Sequence, residues 1–123
     1  MTRARVTLGE IGENLACAEL ERRGYAIVAR RYRCRGGEID IIALDGPTMV
    51  FVEVKTRAGA DYGSGADAVT WTKRRRLVAT AHDFLLRQRL VERPCRFDVV
   101  AIALGEQGPS VEVYANAFDA GMR

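Results

Sequence analysis

Apolar residues recur at helical spacing in two segments of the chain. In residues 7–23 they lie three or four positions apart, and Gly24 supplies a stop, so a first helix is predicted there. The same spacing in residues 70 to about 90 predicts a second helix, with Thr70 or Thr72 as its N-cap. The stripe of the second helix contains Leu77, Ala81, Phe84, Leu85 and Gln88.

Five further segments are apolar or alternate with a period of two, which is the pattern of β-strands. They span residues 25–33, 38–44, 49–55, 96–104 and 110–114. A turn at residues 45–48 joins the second and third segments into a hairpin. The glycine-rich residues 57–69 lack periodicity and are predicted to form a functional loop. This order predicts an α/β sandwich in which helices flank a mixed five-stranded sheet.

The length and composition favour one compact domain. A chain of 123 residues with 48% hydrophobic residues can bury its own core, so a single domain over residues 1–123 is predicted, with its core at about 7–117. No apolar run is long enough to cross a bilayer, and residues 1–6 do not resemble a secretory signal, so we expect no membrane partner and a cytoplasmic location. Three cysteines without C-x-x-C spacing argue against a disulfide framework and a zinc site.

The register of the predicted hairpin places two carboxylates opposite each other. If the turn is centred between Gly46 and Pro47, the numbers of cross-strand partners sum to 93, so Asp40 faces Glu53. Cross-strand Cβ atoms lie about 4.5–5.5 Å apart, and like charges at that distance destabilise a sheet unless they are compensated. A hard divalent cation such as Mg²⁺ or Mn²⁺, which takes oxygen ligands, would compensate them.

Lys55 lies two residues beyond Glu53 and therefore on the same face of the hairpin. Next to a bound metal ion it would suit phosphodiester hydrolysis, by positioning the attacking water or by stabilising negative charge. The alternative is a solvated sheet face on which Lys55 forms a salt bridge with Glu53, Asp40 or Glu38. The residue pattern alone leaves both interpretations open.

Glu13 shares a face of the first helix with small and apolar residues. These neighbours are Gly9, Ala16, Cys17 and Leu20. A carboxylate in that setting is not expected merely to solvate the surface, so Glu13 is a candidate third metal ligand together with Asp40 and Glu53. The alternative is a partly buried acid that is paired with an arginine.

Four strings in the sequence closely resemble the bacterial YraN family. They are Gly12-Glu13, GGEIDIIA at 36–43, VFVEVKTR at 50–57 and CRFDVV at 95–100. The order of the acids and the lysine also resembles the PD-(D/E)-x-K nuclease superfamily. The resemblance implies a restriction-endonuclease-like fold akin to archaeal Holliday-junction resolvases, with catalytic residues at Glu13, Asp40, Glu53 and Lys55.

Three positions depart from the patterns of these families. Ile39 stands where the superfamily motif is named for proline. Arg31 and Trp71 stand where YraN-like sequences often have asparagine and proline. None of the three is a proposed metal ligand, so the departures leave the candidate site intact.

Basic residues are grouped although the net charge is only +3. Residues 73–76 read Lys-Arg-Arg-Arg in the first turns of the second helix, where the helix dipole disfavours cations. Contact with nucleic-acid phosphates would explain this placement, and a solvated helix face is the alternative. The predicted nucleic-acid-binding residues are Lys73, Arg74, Arg76, Arg57, Arg31 and Arg33. No base-reading motif is present, so binding that does not depend on sequence is expected.

Several other residues invite a functional interpretation. Tyr62 and Trp71 flank the glycine-rich loop and could stack on an unpaired base, although core packing is the favoured role for Trp71. His82, the single histidine, has no acid or cysteine partner nearby in the sequence and is assigned a structural role. Asp98 lies inside an apolar strand, where it is expected to pair with Arg96 or to cap a neighbouring element.

Three hypotheses follow from these patterns. The first is a Mg²⁺-dependent nuclease that acts on DNA, especially branched or damaged DNA. The second is a nucleic-acid-binding module that keeps the nuclease fold with little or no catalysis. The third is an interaction protein whose charges only pair with one another. A homodimer is compatible with the first, because cutting both strands of a junction requires two sites.

Overall fold

The computed structural model describes residues 7–58 and 70–118. These residues form two helices and five strands in the predicted order. The elements are α1 (Leu8–Arg22), β1 (Ala26–Cys34), β2 (Gly37–Asp45), β3 (Thr48–Ala58), α2 (Trp71–Arg87), β4 (Cys95–Gly105) and β5 (Gly108–Phe118). Most of the predicted glycine-rich loop, including Tyr62, lies outside the described residues.

Both helices begin at a threonine N-cap. The Glu10 N–H donates to Thr7 Oγ1 at 3.1 Å, and the Lys73 N–H donates to Thr70 Oγ1 at 3.2 Å. Of the two N-cap candidates for α2, Thr70 therefore has this role. Neither helix in the described part of the chain has the length and apolar character that crossing a membrane would require.

The five strands form one mixed sheet in the order β1-β2-β3-β4-β5. β3 and β4 are parallel and are connected through α2, whereas the other neighbours are antiparallel. In the β2–β3 hairpin, Ile41 pairs with Val52 and Ala43 pairs with Val50, so the predicted register with numbers summing to 93 is confirmed.

Four of the five strands are longer than the sequence predicted, β2 and β4 by one residue at each end and β3 and β5 by more. β3 continues to Ala58 because Thr56 and its successors pair with β4, down to Ala58 opposite Leu104. β5 starts at Gly108 and ends at Phe118 because it pairs along most of β4. Cross-strand hydrogen bonding here overrides a weak local pattern of apolar residues.

The helices cover opposite faces of the sheet. Ala16 and Leu20 of α1 pack in a cluster with Val52 and other apolar residues of the central strands. On the other face, Phe84 of α2 packs with Phe51 and its neighbours. The predicted α/β sandwich is thus confirmed, and its arrangement is consistent with a restriction-endonuclease-like fold. Gln88 was wrongly included in the apolar stripe, since it is the exposed C-cap of α2. Thr80, which was not predicted, is a buried residue on the same face of the helix.

A glycine allows α1 to approach β3 closely. A Cβ atom on Gly12 would lie 1.7 Å from Thr56 Oγ1, so a larger residue fits here only if Thr56 or the backbone shifts. Gly12 and Glu13 are both buried. This contact holds Glu13 beside the part of β3 that follows Glu53.

Asp98 pairs with Arg96 and also caps backbone of β5, in line with the two roles that the sequence suggested. It is fully buried, and it accepts hydrogen bonds from Arg96 Nε at 3.0 Å and from the Asn116 N–H at 2.8 Å. Asn116 has a φ of 53°, and the β4–β5 register shifts between Phe97 and Val99. The carboxylate therefore satisfies the backbone where the two strands are irregular.

Candidate metal centre

Asp40 and Glu53 come together where the backbone pairing of β2 and β3 ends. Ile41 and Val52 form the last pair of the ladder in the described residues, and the two acids occupy the next positions. Asp40 Oδ2 accepts a hydrogen bond from the Val54 N–H at 2.7 Å. The side chain of Asp40 thus takes the place of a backbone acceptor and is fixed against β3.

The two carboxyl groups are close enough to share a proton. Burial raises the pKa of Asp40 to about 8, and a hydrogen bond with Glu53 and repulsion by its charge act in the same direction. The Val54 N–H opposes this rise, since it favours the ionised carboxylate. Positive charge therefore stabilises the pair, and either a proton or a cation can supply it.

Lys73 of α2 supplies one such positive charge. Its Nζ lies 3.2 Å from Glu53 Oε2, and the Glu53 side chain is only 10% exposed. The sequence assigned Lys73 to a phosphate-binding surface and did not predict this ion pair. The available signal was its position four residues before the buried Leu77, which places Lys73 toward the sheet.

Lys55 is a half-buried cation near the same carboxylates. Burial lowers the pKa of Lys55, and the charges of Lys73 and Arg57 lower it further. In the described part of the chain, Glu53 forms its ion pair with Lys73, and Glu38 forms one with Arg33. Two of the three salt-bridge partners proposed for Lys55 as a surface residue, Glu53 and Glu38, are therefore paired with other cations.

Glu13 has two arginine partners. Arg30 Nε lies 2.8 Å from Glu13 Oε1, and Arg31 Nε lies 3.1 Å from Oε2. Only 8% of the glutamate side chain is exposed. This arrangement matches the acid–arginine pairing that the sequence left open, while metal ligation by Glu13 stays a prediction.

The structure gathers two of the three predicted ligands. Across residues 7–58 and 70–118, no group of three or more acidic, histidine or cysteine side chains is arranged to hold a metal ion. Asp40 and Glu53 form a pair, whereas Glu13 lines the same cavity as Asp40 with its oxygens engaged by arginines. Two carboxylates fit Mg²⁺, which is commonly bound through one or two carboxylates with water and substrate phosphate completing its shell.

A polar cavity of about 350 Å³ opens beside Asp40 and Lys55. Its wall includes Glu13, Arg31 and Arg33, together with the first residues of α1. The remaining lining residues are Thr7, Glu10, Glu38, Val54 and Thr56. Both cations and acids line this opening, so it can accept an anionic group only next to the lysine and arginine side chains or a bound cation.

The other predicted nucleic-acid-binding residues have varied settings. Arg57 is half-buried on β3, and the Arg74 guanidinium lies 5.3 Å from the centre of the Phe118 ring. Arg76 is exposed on α2. The favoured core role of Trp71 was wrong, since 63% of this residue is exposed: it is the first residue of α2 and precedes the part of the helix that packs on the sheet.

Comparison with known proteins defines the family. Residues 12–102 match the uncharacterised protein family UPF0102, and the chain belongs to this family. The resemblance to the YraN family is thereby confirmed, because this is the same family. The matched region begins just before Glu13 and includes Asp40, Glu53 and Lys55.

Relatives in this family are similar over nearly their whole length. A UPF0102 protein of Geobacter metallireducens is 49% identical over 113 residues, which cover 92% of this chain and 93% of the relative. One of Roseiflexus castenholzii is 46% identical over 114 residues, 92% of each chain. The solved structure of Pyrococcus furiosus SfsA in complex with Ca²⁺ is 16% identical, with a TM-score of 0.36, over 87% of this chain and 60% of that one. That similarity is too low to indicate anything about this chain.

Proposed function

We propose that this protein is a metal-dependent nuclease-like protein that binds DNA and hydrolyses phosphodiester bonds. The observation that carries the proposal is the pair formed by the buried Glu53 and the half-buried Asp40. Its carboxyl groups lie together, Asp40 lines a polar cavity, and Lys55 and Lys73 lie beside the pair. Buried acids forced together in this way are costly unless a cation is bound, so the arrangement favours a functional role.

Asp40 and Glu53 would hold Mg²⁺ or Mn²⁺. When bound, such an ion polarises a phosphoryl oxygen and lowers the pKa of a coordinated water. The Val54 N–H orients Asp40, and Lys73 restrains Glu53. Lys55, whose pKa is lowered by burial, is suited to positioning a water molecule or to stabilising the negative charge of the reacting phosphate.

The basic side chains around this pair suit the backbone of DNA. Phosphate contacts fix position without reading sequence, so recognition would depend on DNA structure, such as a branch or a damaged site. The residues assigned to these contacts are Lys73, Arg74, Arg76, Arg57, Arg31 and Arg33. A cytoplasmic location and a homodimer with two cleavage sites are part of this proposal.

A cleavage assay tests the proposal directly. Wild type is incubated with Mg²⁺ and duplex, single-stranded, flapped or four-way-junction DNA, beside the near-isosteric variants Asp40→Asn and Glu53→Gln. We expect cleavage of at least one substrate by wild type and a loss of about 100-fold or more in each variant, as is typical when a metal ligand is removed. Glu112→Gln, on the exposed face of β5, is the matched control. Equal activity in all four proteins would contradict the proposal.

One observation favours a second function, a nucleic-acid-binding module with little or no catalysis. Both oxygens of Glu13 are engaged by arginines, and Glu53 is paired with Lys73. A centre held together by its own cations can keep the fold without binding metal. DNA binding in EDTA, combined with no cleavage of any substrate in Mg²⁺ or Mn²⁺, would select this function.

A further inference from the structure

The single tryptophan of the chain is displayed at the surface. Trp71 begins α2 and is 63% exposed, the largest exposed fraction among the big apolar residues of the described structure. Tryptophan has a large apolar ring that is usually well buried in a folded protein. Its exposure here indicates a surface that meets a partner.

The Trp71 ring is held from one side. The guanidinium carbon of Arg75, one helical turn along, lies 4.8 Å from the centre of the indole. This cation–π contact orients the ring and occupies only one of its faces. Since most of the residue is exposed, the other face is available to a planar group.

Trp71 also borders a groove of about 310 Å³ between α2 and the turn that joins β1 to β2. The groove exists because the turn lies close to the helix: a Cβ atom on Gly37 would be 3.0 Å from Thr80 Oγ1. Its lining residues are Gly36, Trp71, Thr72, Arg75, Arg76 and Ala79. Among residues 7–58 and 70–118, no acidic side chain forms an ion pair with Arg75 or Arg76, so the groove has uncompensated positive charge.

We propose that this groove binds an unpaired nucleotide of DNA, with its base stacked on Trp71 and its phosphate against Arg75 and Arg76. An exposed aromatic ring beside cations in a groove is the combination used by proteins that bind single strands, because every base presents a π-face. The inference rests on the proposed function for the nature of the partner. It adds the substrate class, which is DNA with a single-stranded stretch next to the duplex.

The position of the groove explains why the substrate would need both a duplex and a single-stranded stretch. Trp71 and Lys73 are two residues apart on one helix, so their side chains point about 200° apart around its axis. Lys73 contacts Glu53, and Trp71 therefore lies on the opposite side of the first turn of α2. A strand cut at the carboxylate pair would pass over this turn to place an unpaired base on the indole.

Fluorescence of Trp71 gives a direct test, since no other tryptophan contributes. The full chain is titrated in EDTA with an oligothymidine, with a blunt duplex and with the same duplex carrying an oligothymidine flap. We expect the oligothymidine and the flapped duplex to quench the emission, and the blunt duplex to leave it almost unchanged. Quenching that is equal for the blunt and flapped duplexes would overturn the proposal.

Variants separate stacking from a structural role. Trp71→Ala should weaken binding of the flapped duplex by about fivefold or more, leave binding of the blunt duplex unchanged and keep the melting temperature of wild type. Trp71→Phe, which retains a stacking ring, should recover part of the loss. Leu86→Ala removes another exposed apolar side chain of α2 and is the matched control. A Trp71→Ala variant that binds both duplexes as wild type does would also overturn the proposal.

Failure of this inference can be told apart from failure of the proposed function. Because EDTA removes divalent cations, the fluorescence change does not depend on cleavage, and Asp40→Asn should still show it. Binding of flapped DNA without quenching would overturn the groove alone. Absence of binding to any of the three DNAs would overturn both proposals, whereas quenching without cleavage in Mg²⁺ would support the groove and contradict the nuclease.

Discussion

Lys73 Nζ in the first turn of α2 lies 3.2 Å from Glu53 Oε2 in the middle of β3. This contact links a helix end to the centre of the sheet, and it explains one of the cations that stand where the helix dipole disfavours them. Glu53 also neighbours Asp40, so the net charge of the site depends on Lys73, Glu53 and Asp40 together. The balance of charge among these groups determines how the site responds to substitution, pH and metal.

Removing the charge of Lys73 should lower the stability of the protein and increase its response to Mg²⁺. Lys73→Met keeps the length of the side chain but leaves Glu53 buried without its counterion. Since the lysine is partly exposed, we expect a loss of about 0.5–1 kcal/mol in the free energy of unfolding, measured by chemical denaturation. Added Mg²⁺ should restore more stability to this variant than to wild type, because a bound cation replaces the lost charge.

A surface ion pair on the same helix is the control for that experiment. Arg87→Met removes a cation paired with Asp83 at 3.0 Å, near the other end of α2. Its stability should not depend on Mg²⁺ more than that of wild type. If Mg²⁺ stabilises both variants equally, Lys73 is not a counterion of a metal site.

The stability of the protein should depend on pH through the protonation of Asp40. Its pKa is raised from 3.8 to about 8, so the folded protein holds this proton more tightly than the unfolded chain does. The stability that this proton contributes is therefore fully present below pH 3.8 and is lost as the pH rises toward 8. Asp40→Asn should remove this slope, because the amide stays neutral and its oxygen can still accept from the Val54 N–H.

Thermal unfolding in EDTA across this pH range measures the effect. Near pH 8 we expect Asp40→Asn to melt at a higher temperature than wild type. The rise should be roughly 4 °C for each gain of about 1 kcal/mol in the free energy of unfolding. Near pH 4 the two proteins should melt at similar temperatures. A variant that is less stable than wild type at both pH values would show that Asp40 is an ordinary ionised acid.

The close approach of α1 to β3 predicts opposite effects at two glycines. Gly12→Ala would place its Cβ atom 1.7 Å from Thr56 Oγ1, so we expect a loss of about 1–3 kcal/mol from overpacking. At Gly9 the nearest atom to an added Cβ lies at 3.9 Å. Gly9→Ala should therefore be neutral or stabilising, by up to about 1 kcal/mol. Equal stabilities of the two variants, measured by urea denaturation, would show that this helix is not seated as described.

Local patterns in the sequence could predict the framework of the site. The turn at Gly46 and Pro47 fixes the hairpin register, and the register alone brings Asp40 next to Glu53. The face of α1 that carries Glu13 follows from helical spacing, and Thr70 is recognisable as one of two candidate N-caps. Each of these relationships depends on residues that are neighbours along one element or across one turn.

Contacts between distant elements could not be predicted in the same way. The pairing of Lys73 with Glu53, and of Glu13 with Arg30 and Arg31, depends on how each helix is placed on the sheet. The exposure of Trp71 also depends on this packing, because a pattern of apolar residues does not show where a helix extends beyond the sheet that it covers.

Binding of Mn²⁺ measured by calorimetry tests the central claim most directly, because it requires neither a DNA substrate nor turnover. The titration is done near pH 8, because a metal ion can readily displace the Asp40 proton at that pH. Wild type and the Glu112→Gln control should bind Mn²⁺ alike. Asp40→Asn and Glu53→Gln should each lose this binding. A wild-type protein that binds no Mn²⁺, or variants that bind it as tightly as wild type, would contradict a metal centre at Asp40 and Glu53.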